Sequence, residues 1–143
     1  MTLLNKISSR FSVDAKEAAA TGEEIKALTE FSPINVPSDY LDIVSEATEV
    51  EINVAGEKYI RIWSPAGCVD MNESYEIQDY IPNSLAVGDD EGGNALIYFE
   101  GAEGFGLYIV GFGDLDPEEA VKVAPCLNDL LIQDTGIEKI LEN

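Results

Sequence analysis

The stretch Val50–Trp63, VEINVAGEKYIRIW, decides the fold class. Val50, Ile52 and Val54 alternate with Glu51 and Asn53, AGEK reverses the chain, and Ile60 and Ile62 alternate with Tyr59, Arg61 and Trp63. A period of two sends successive side chains to opposite faces, so the segment reads as a hairpin with one buried face. Further on, Leu85–Val87 reads as a short strand, Ala95–Phe99 as a buried one and Phe105–Phe112 as a third. EGAEG, between the last two, places glycines where a tight hairpin needs positive φ. The hairpin is therefore followed by a three-stranded meander.

Helical patterns flank these strands. Ala15, Ala18 and Ala19, then Ile25, Leu28 and Phe31, predict two short helices within Asp14–Phe31, broken at Gly22. Pro37-Ser38-Asp39 opens another helix, with Tyr40, Leu41, Val44 and Ala47 on its packing stripe. Ser64–Ser84 reads as irregular or weakly helical. Asp116-Pro117-Glu118-Glu119 carries an N-cap, a first-turn proline and an acid three residues after the cap, which predicts a helix start. Leu127, Leu130 and Leu131 form a further apolar stripe, and GIEKILEN closes the chain as a last helical turn or two. No regular β-α-β alternation exists, so the expected class is α+β: a single domain over residues 1–143, mainly antiparallel sheet packed with N-terminal and C-terminal helices.

At 143 residues and 45% apolar content the chain is long enough for a hydrophobic core. No apolar run is long enough to span a bilayer, and the first residues do not read as a signal peptide, so the expected location is cytoplasmic. Cys68 and Cys126 lie outside any Cys-x-x-Cys spacing and read as small core residues rather than metal ligands. Histidine is absent, which removes the commonest general base and zinc ligand. The expectation is a binding protein, not an enzyme, with no catalytic residues, metal or cofactor. The 28 acids against 8 bases give a net charge of −20, and no basic residue falls between Arg61 and Lys122. Such a surface repels nucleic acid and anionic membranes and speeds encounter with a basic partner; the competing reading of the charge is solubility alone.

Within that basic-free segment lies GDDEGGNALIYFE, Gly88–Glu100. An EF-hand loop needs glycine at its sixth position, where counting from Asp89 gives Asn94, so that pattern fails; weak divalent binding by the clustered acids stays open. A phosphate loop would open a helix and carry a base, whereas this one carries three acids and precedes a strand. The expected arrangement has Asp89 and Asp90 ending a strand, Gly92 and Gly93 supplying a reversal or bulge, and Asn94 leading into the next strand. The candidate partner-binding face combines the acids Asp70, Glu73, Asp89, Asp90 and Glu91 for steering with Tyr59 and Trp63 for anchoring. The competing reading of Trp63 is a core position.

INVPSDYLDIV, IRIWSP, YEIQDYIPNSLAVGDDEGGNALIYFE and APCLNDLL, in this order, resemble the SUKH superfamily over about Gly22–Leu131. The strongest elements are the strand, acidic Gly-Gly loop and strand at Val87–Tyr98 after Tyr80-Ile81-Pro82, and the motif Pro37-Ser38-Asp39-Tyr40. The chain departs from the family pattern at SEATEVEINV, where members often carry an Asn-Gly turn, and at Glu91, where many carry glycine. The resemblance implies an α+β fold. The superfamily includes a fungal regulator of cell-wall synthesis, and for bacterial members the resemblance implies an immunity protein that neutralises a cognate toxin domain, here a basic nuclease. A regulatory or scaffold module of the same fold is the alternative, followed by a carboxylate-dependent hydrolase. Oligomeric state is not fixed by any of these residues.

Overall fold

The computed structural model describes residues 3–142. Seven strands, β1 (Phe11–Glu17), β2 (Thr48–Val54), β3 (Lys58–Ile62), β4 (Leu85–Asp89), β5 (Asn94–Gly101), β6 (Gly104–Gly111) and β7 (Val121–Ala124), lie side by side in chain order, every neighbouring pair antiparallel. Helices α1 (Gly22–Phe31) and α2 (Ser38–Val44) join β1 to β2. Helices α3 (Pro65–Ser74) and α4 (Ile77–Tyr80) join β3 to β4, and α5 (Leu127–Gln133) and α6 (Ile137–Glu142) follow β7. The fold is α+β, as the order of patterns predicted. Helix α6 touches both β7 and β2, which a flat sheet would hold about 24 Å apart at ordinary strand spacing, so the sheet curls around the helix.

The hairpin forms as its alternation requires. Val50 pairs with Ile62 and Ile52 with Ile60, and Val50, Ile52, Val54, Ile60 and Ile62 are fully buried. In β4, β5 and β6 the central residues are buried without alternation, because both faces of that half of the sheet are covered. All buried apolar residues join one hydrophobic cluster.

The Pro37–Tyr40 motif has a structural explanation. Asp39 is 5% exposed; its Oδ2 accepts from the Asn128 N–H (3.2 Å) and its Oδ1 from the Tyr98 hydroxyl (3.4 Å), while that hydroxyl accepts from the Leu127 N–H (2.9 Å). One carboxylate from α2 and one phenol from β5 thus satisfy two of the free N–H groups at the start of α5. Tyr40 donates to the Trp63 carbonyl (2.8 Å) and contacts Cys68 Sγ (3.2 Å). Burial pushes the Cys68 thiol up to about 12, so this cysteine stays protonated in the core.

Two expectations are corrected and one is narrowed. The helix predicted over the Asp14 half of Asp14–Phe31 is strand β1, in which Phe11 and Val13 pair with Val54 and Ile52. The helical preference around Ala15 gives way there to pairing with an apolar strand, and two register shifts carry the pairing on to Glu17 opposite Thr48. Asp116-Pro117 makes one turn, with Asp116 Oδ1 accepting from the Glu118 N–H (2.9 Å), and the chain then enters β7 instead of a helix. Of the two readings of Ser64–Ser84, irregular or weakly helical, the helical one holds: Ser64 caps α3 through the Gly67 N–H (2.9 Å), with Pro65 in the first turn, and α4 follows.

Candidate protein-interaction site

Strand β4 ends at Asp89 and β5 begins at Asn94, so the acidic Gly-Gly segment is the connection between two paired strands. Asp90 is 8% exposed and folds back into its own loop. Its Oδ1 accepts from the N–H groups of Gly92 (2.8 Å) and Asn94 (3.0 Å), and its Oδ2 from Asn94 Nδ2 (2.8 Å). Asp89 Oδ1 accepts from the Glu91 N–H (2.8 Å) and Oδ2 from the Trp63 indole (2.8 Å). Two of the three acids therefore build the loop, and Glu91 alone reaches outward.

Glu91 belongs to a polar cluster on the outer face of the sheet. Arg61 lies opposite Glu51 on β2 and Asp89 on β4, and its guanidinium meets Glu51 at 3.1 Å and Glu49 and Glu91 at 3.9 Å each. Burial, then the neighbouring Glu51 carboxylate, raises the Glu91 carboxyl above its ordinary value. One cation among these acids leaves the face negative. Tyr59 shares it, half exposed, with its hydroxyl donating to Asp14 (2.9 Å).

Trp63, placed on this face by alternation, is a core residue at 3% exposure. Strand β3 ends at Ile62 and the α3 cap follows at Ser64, so the alternation stops before it reaches the indole. Asp70 and Glu73 are exposed on α3. The structure thus separates the candidate residues into an outer sheet face (Tyr59, Asp89, Glu91), a helix surface (Asp70, Glu73) and interior supports (Trp63, Asp90). Tyr75 and Tyr80 were missed, although two tyrosines among the acids Glu73, Glu76 and Asp79 are a readable signal; both are exposed. No group of three or more cysteines and carboxylates among the described residues is arranged to hold a metal ion.

The glycine expectation is half corrected. Gly93 has φ +97, but Gly92 is outside the positive-φ set, and a Cβ on it would make only ordinary contact with Asp90. The other left-handed residue of the loop is Glu91, at φ 55. A Cβ on Gly93 meets open space, so Gly93→Val should act through backbone strain alone, lowering stability by about 1–2 kcal/mol in thermal unfolding. An unchanged midpoint would mean the loop relaxes freely.

The family model described as SMI1 / KNR4 family (SUKH-1) matches residues 19–133, which runs from α1 through α5 and takes in every strand but β1. No curated protein matches the chain.

Proposed function

Because the chain belongs to the SMI1/KNR4 (SUKH-1) family, we propose that it is an immunity protein that binds and neutralises a cognate bacterial toxin domain, a basic nuclease, through its acidic surface. The observation that carries this reading is the net charge of −20 with no base between Arg61 and Lys122. A nuclease domain holds phosphates with basic residues, so an acidic inhibitor is steered to the surface the nucleic acid would occupy. The reading places the protein in the cytoplasm, where a nuclease would meet nucleic acid; no described helix is long and apolar enough to cross a membrane. The hydrolase alternative loses support from Asp90, whose carboxylate is occupied by three hydrogen bonds within its own loop.

The test begins with the proteins encoded beside this chain: one of them should carry a basic C-terminal domain that arrests growth when expressed alone and not when co-expressed with this chain. With purified partners, neutralising the exposed acids Asp70, Glu73, Glu76 and Asp79 to their amides should slow association about 10-fold at low salt and flatten its salt dependence. Stability should change by less than about 0.5 kcal/mol, since the substitutions are on the surface. Growth arrest that persists under co-expression would overturn the immunity reading; unchanged association rates would remove these acids from steering.

A further inference from the structure

Three aromatic rings run in a row from the core to the surface. Trp63 stacks on Phe112 with centroids 6.4 Å apart, and Phe112 meets Tyr75 at 4.3 Å. Tyr75 and Tyr80 are 41% and 56% exposed. With Glu76, Asp114 and Leu115 they line a groove of about 370 Å³ between the α3–α4 corner and the segment leaving β6. No basic residue lines it.

We propose that this groove is the docking site for an arginine side chain presented by a basic partner protein; the proposal rests on the immunity reading and gives it a contact surface. The groove pairs ring faces with carboxylate residues, and a guanidinium suits both. Its plane stacks on tyrosine or phenylalanine while its N–H groups remain free for carboxylates in the ring plane. A purely apolar side chain would desolvate Glu76 and Asp114 without replacing their water, and a phosphate would be repelled by both. Tyrosine-rich pockets that bind arginine are also where interface energy concentrates.

The groove is held in shape from beneath. The Phe112 N–H donates to the Gly93 carbonyl (2.9 Å), and the indole under Phe112 is tied to Asp89 (2.8 Å). Glu76 sits in the left-handed conformation (φ 54) that turns α3 into α4 and sets Tyr75 and Tyr80 about the groove. The acidic Gly-Gly loop therefore serves recognition as a support for Phe112, and a preformed groove loses little entropy on binding.

The test uses the full chain with its aromatic rings isotope-labelled for NMR, titrated with N-acetyl-Gly-Arg-Gly amide and with the lysine and citrulline counterparts. Ring signals of Tyr75, Tyr80 and Phe112 should move selectively with the arginine peptide, less with lysine and not with citrulline, and Tyr75→Ala or Tyr80→Ala should abolish the response without disturbing the remaining spectrum. Shifts spread evenly over the acidic surface, or none at these rings, would overturn the proposal. Against the toxin domain, each alanine variant should bind ~30-fold more weakly, the size of a hot-spot loss. Wild-type affinity in both variants would overturn the groove while leaving the immunity reading intact. Arginine binding at the three rings with no toxin neutralised would do the reverse.

Discussion

Asn72→Leu should lower the free energy of unfolding by about 3–5 kcal/mol, from three buried backbone groups and the half-buried Gln78 amide losing one shared partner. Strands β3 and β4 share only two pairs, Arg61 with Asp89 and Ile62 with Gly88, before the chain departs into α3. Beyond them the fully buried Asn72 amide stands in for the missing strand. Its Nδ2 donates to the Ala86 carbonyl (2.9 Å) and its Oδ1 accepts from the Ala86 N–H (3.0 Å). The same amide donates to the Cys68 carbonyl (2.7 Å) and accepts from Gln78 Nε2 (2.9 Å), so both donors and both acceptor positions are filled. Leucine matches the volume and none of these bonds. Urea unfolding measures the loss. A change below about 1 kcal/mol would mean that water reaches Ala86 once the amide is gone.

Gly136→Ala should cost about 3 kcal/mol or more and loosen the C-terminal helix. Gly136 has φ +82, and a Cβ placed on it would lie 1.7 Å from the Val123 carbonyl oxygen of β7. The left-handed backbone alone penalises alanine by about 1–2 kcal/mol. Relieving the overlap then means moving a strand or lifting α6, which carries the buried Ile137 and Ile140. The thermal midpoint should fall and cleavage by a protease should begin near the C-terminus. A midpoint within a degree or so of wild type would show that the α5–α6 connection rearranges without strain.

The sequence carries most of the sheet openly. The β2–β3 hairpin is legible from its alternation, the β4–β6 meander from short apolar runs bounded by turn glycines, and α2 and α5 from stripes that fall on Tyr40 and Val44 and on Leu127, Leu130 and Leu131. Strand β1 is not, since only two of its residues, Phe11 and Val13, find apolar partners across the pair, and Ala15 with the alanines just after the strand favours a helix when read alone. Strand β7 is hidden behind a capping signature that completes one turn and stops. The site was legible as a charge and not as a surface. Which acids face outward depends on hydrogen bonds that Asp89 and Asp90 make with their own loop, and the Trp63–Phe112–Tyr75 row joins residues from three separate segments.

Strands that lie in the sheet in chain order have a kinetic meaning. Three of the six pairings close only a short loop: β2 with β3 across Ala55–Glu57, β4 with β5 across Asp90–Gly93, and β5 with β6 across Ala102-Glu103. Each such closure sacrifices little chain entropy, so the two hairpin blocks can assemble independently as the chain collapses. The slower events are the joins that span helices, β1 to β2 and β3 to β4. The second closes through two strand pairs and the Trp63 N–H to the Val87 carbonyl, with the Asn72 amide holding Ala86 beyond them, so a chain lacking that amide should form its hairpins promptly and complete this seam more slowly.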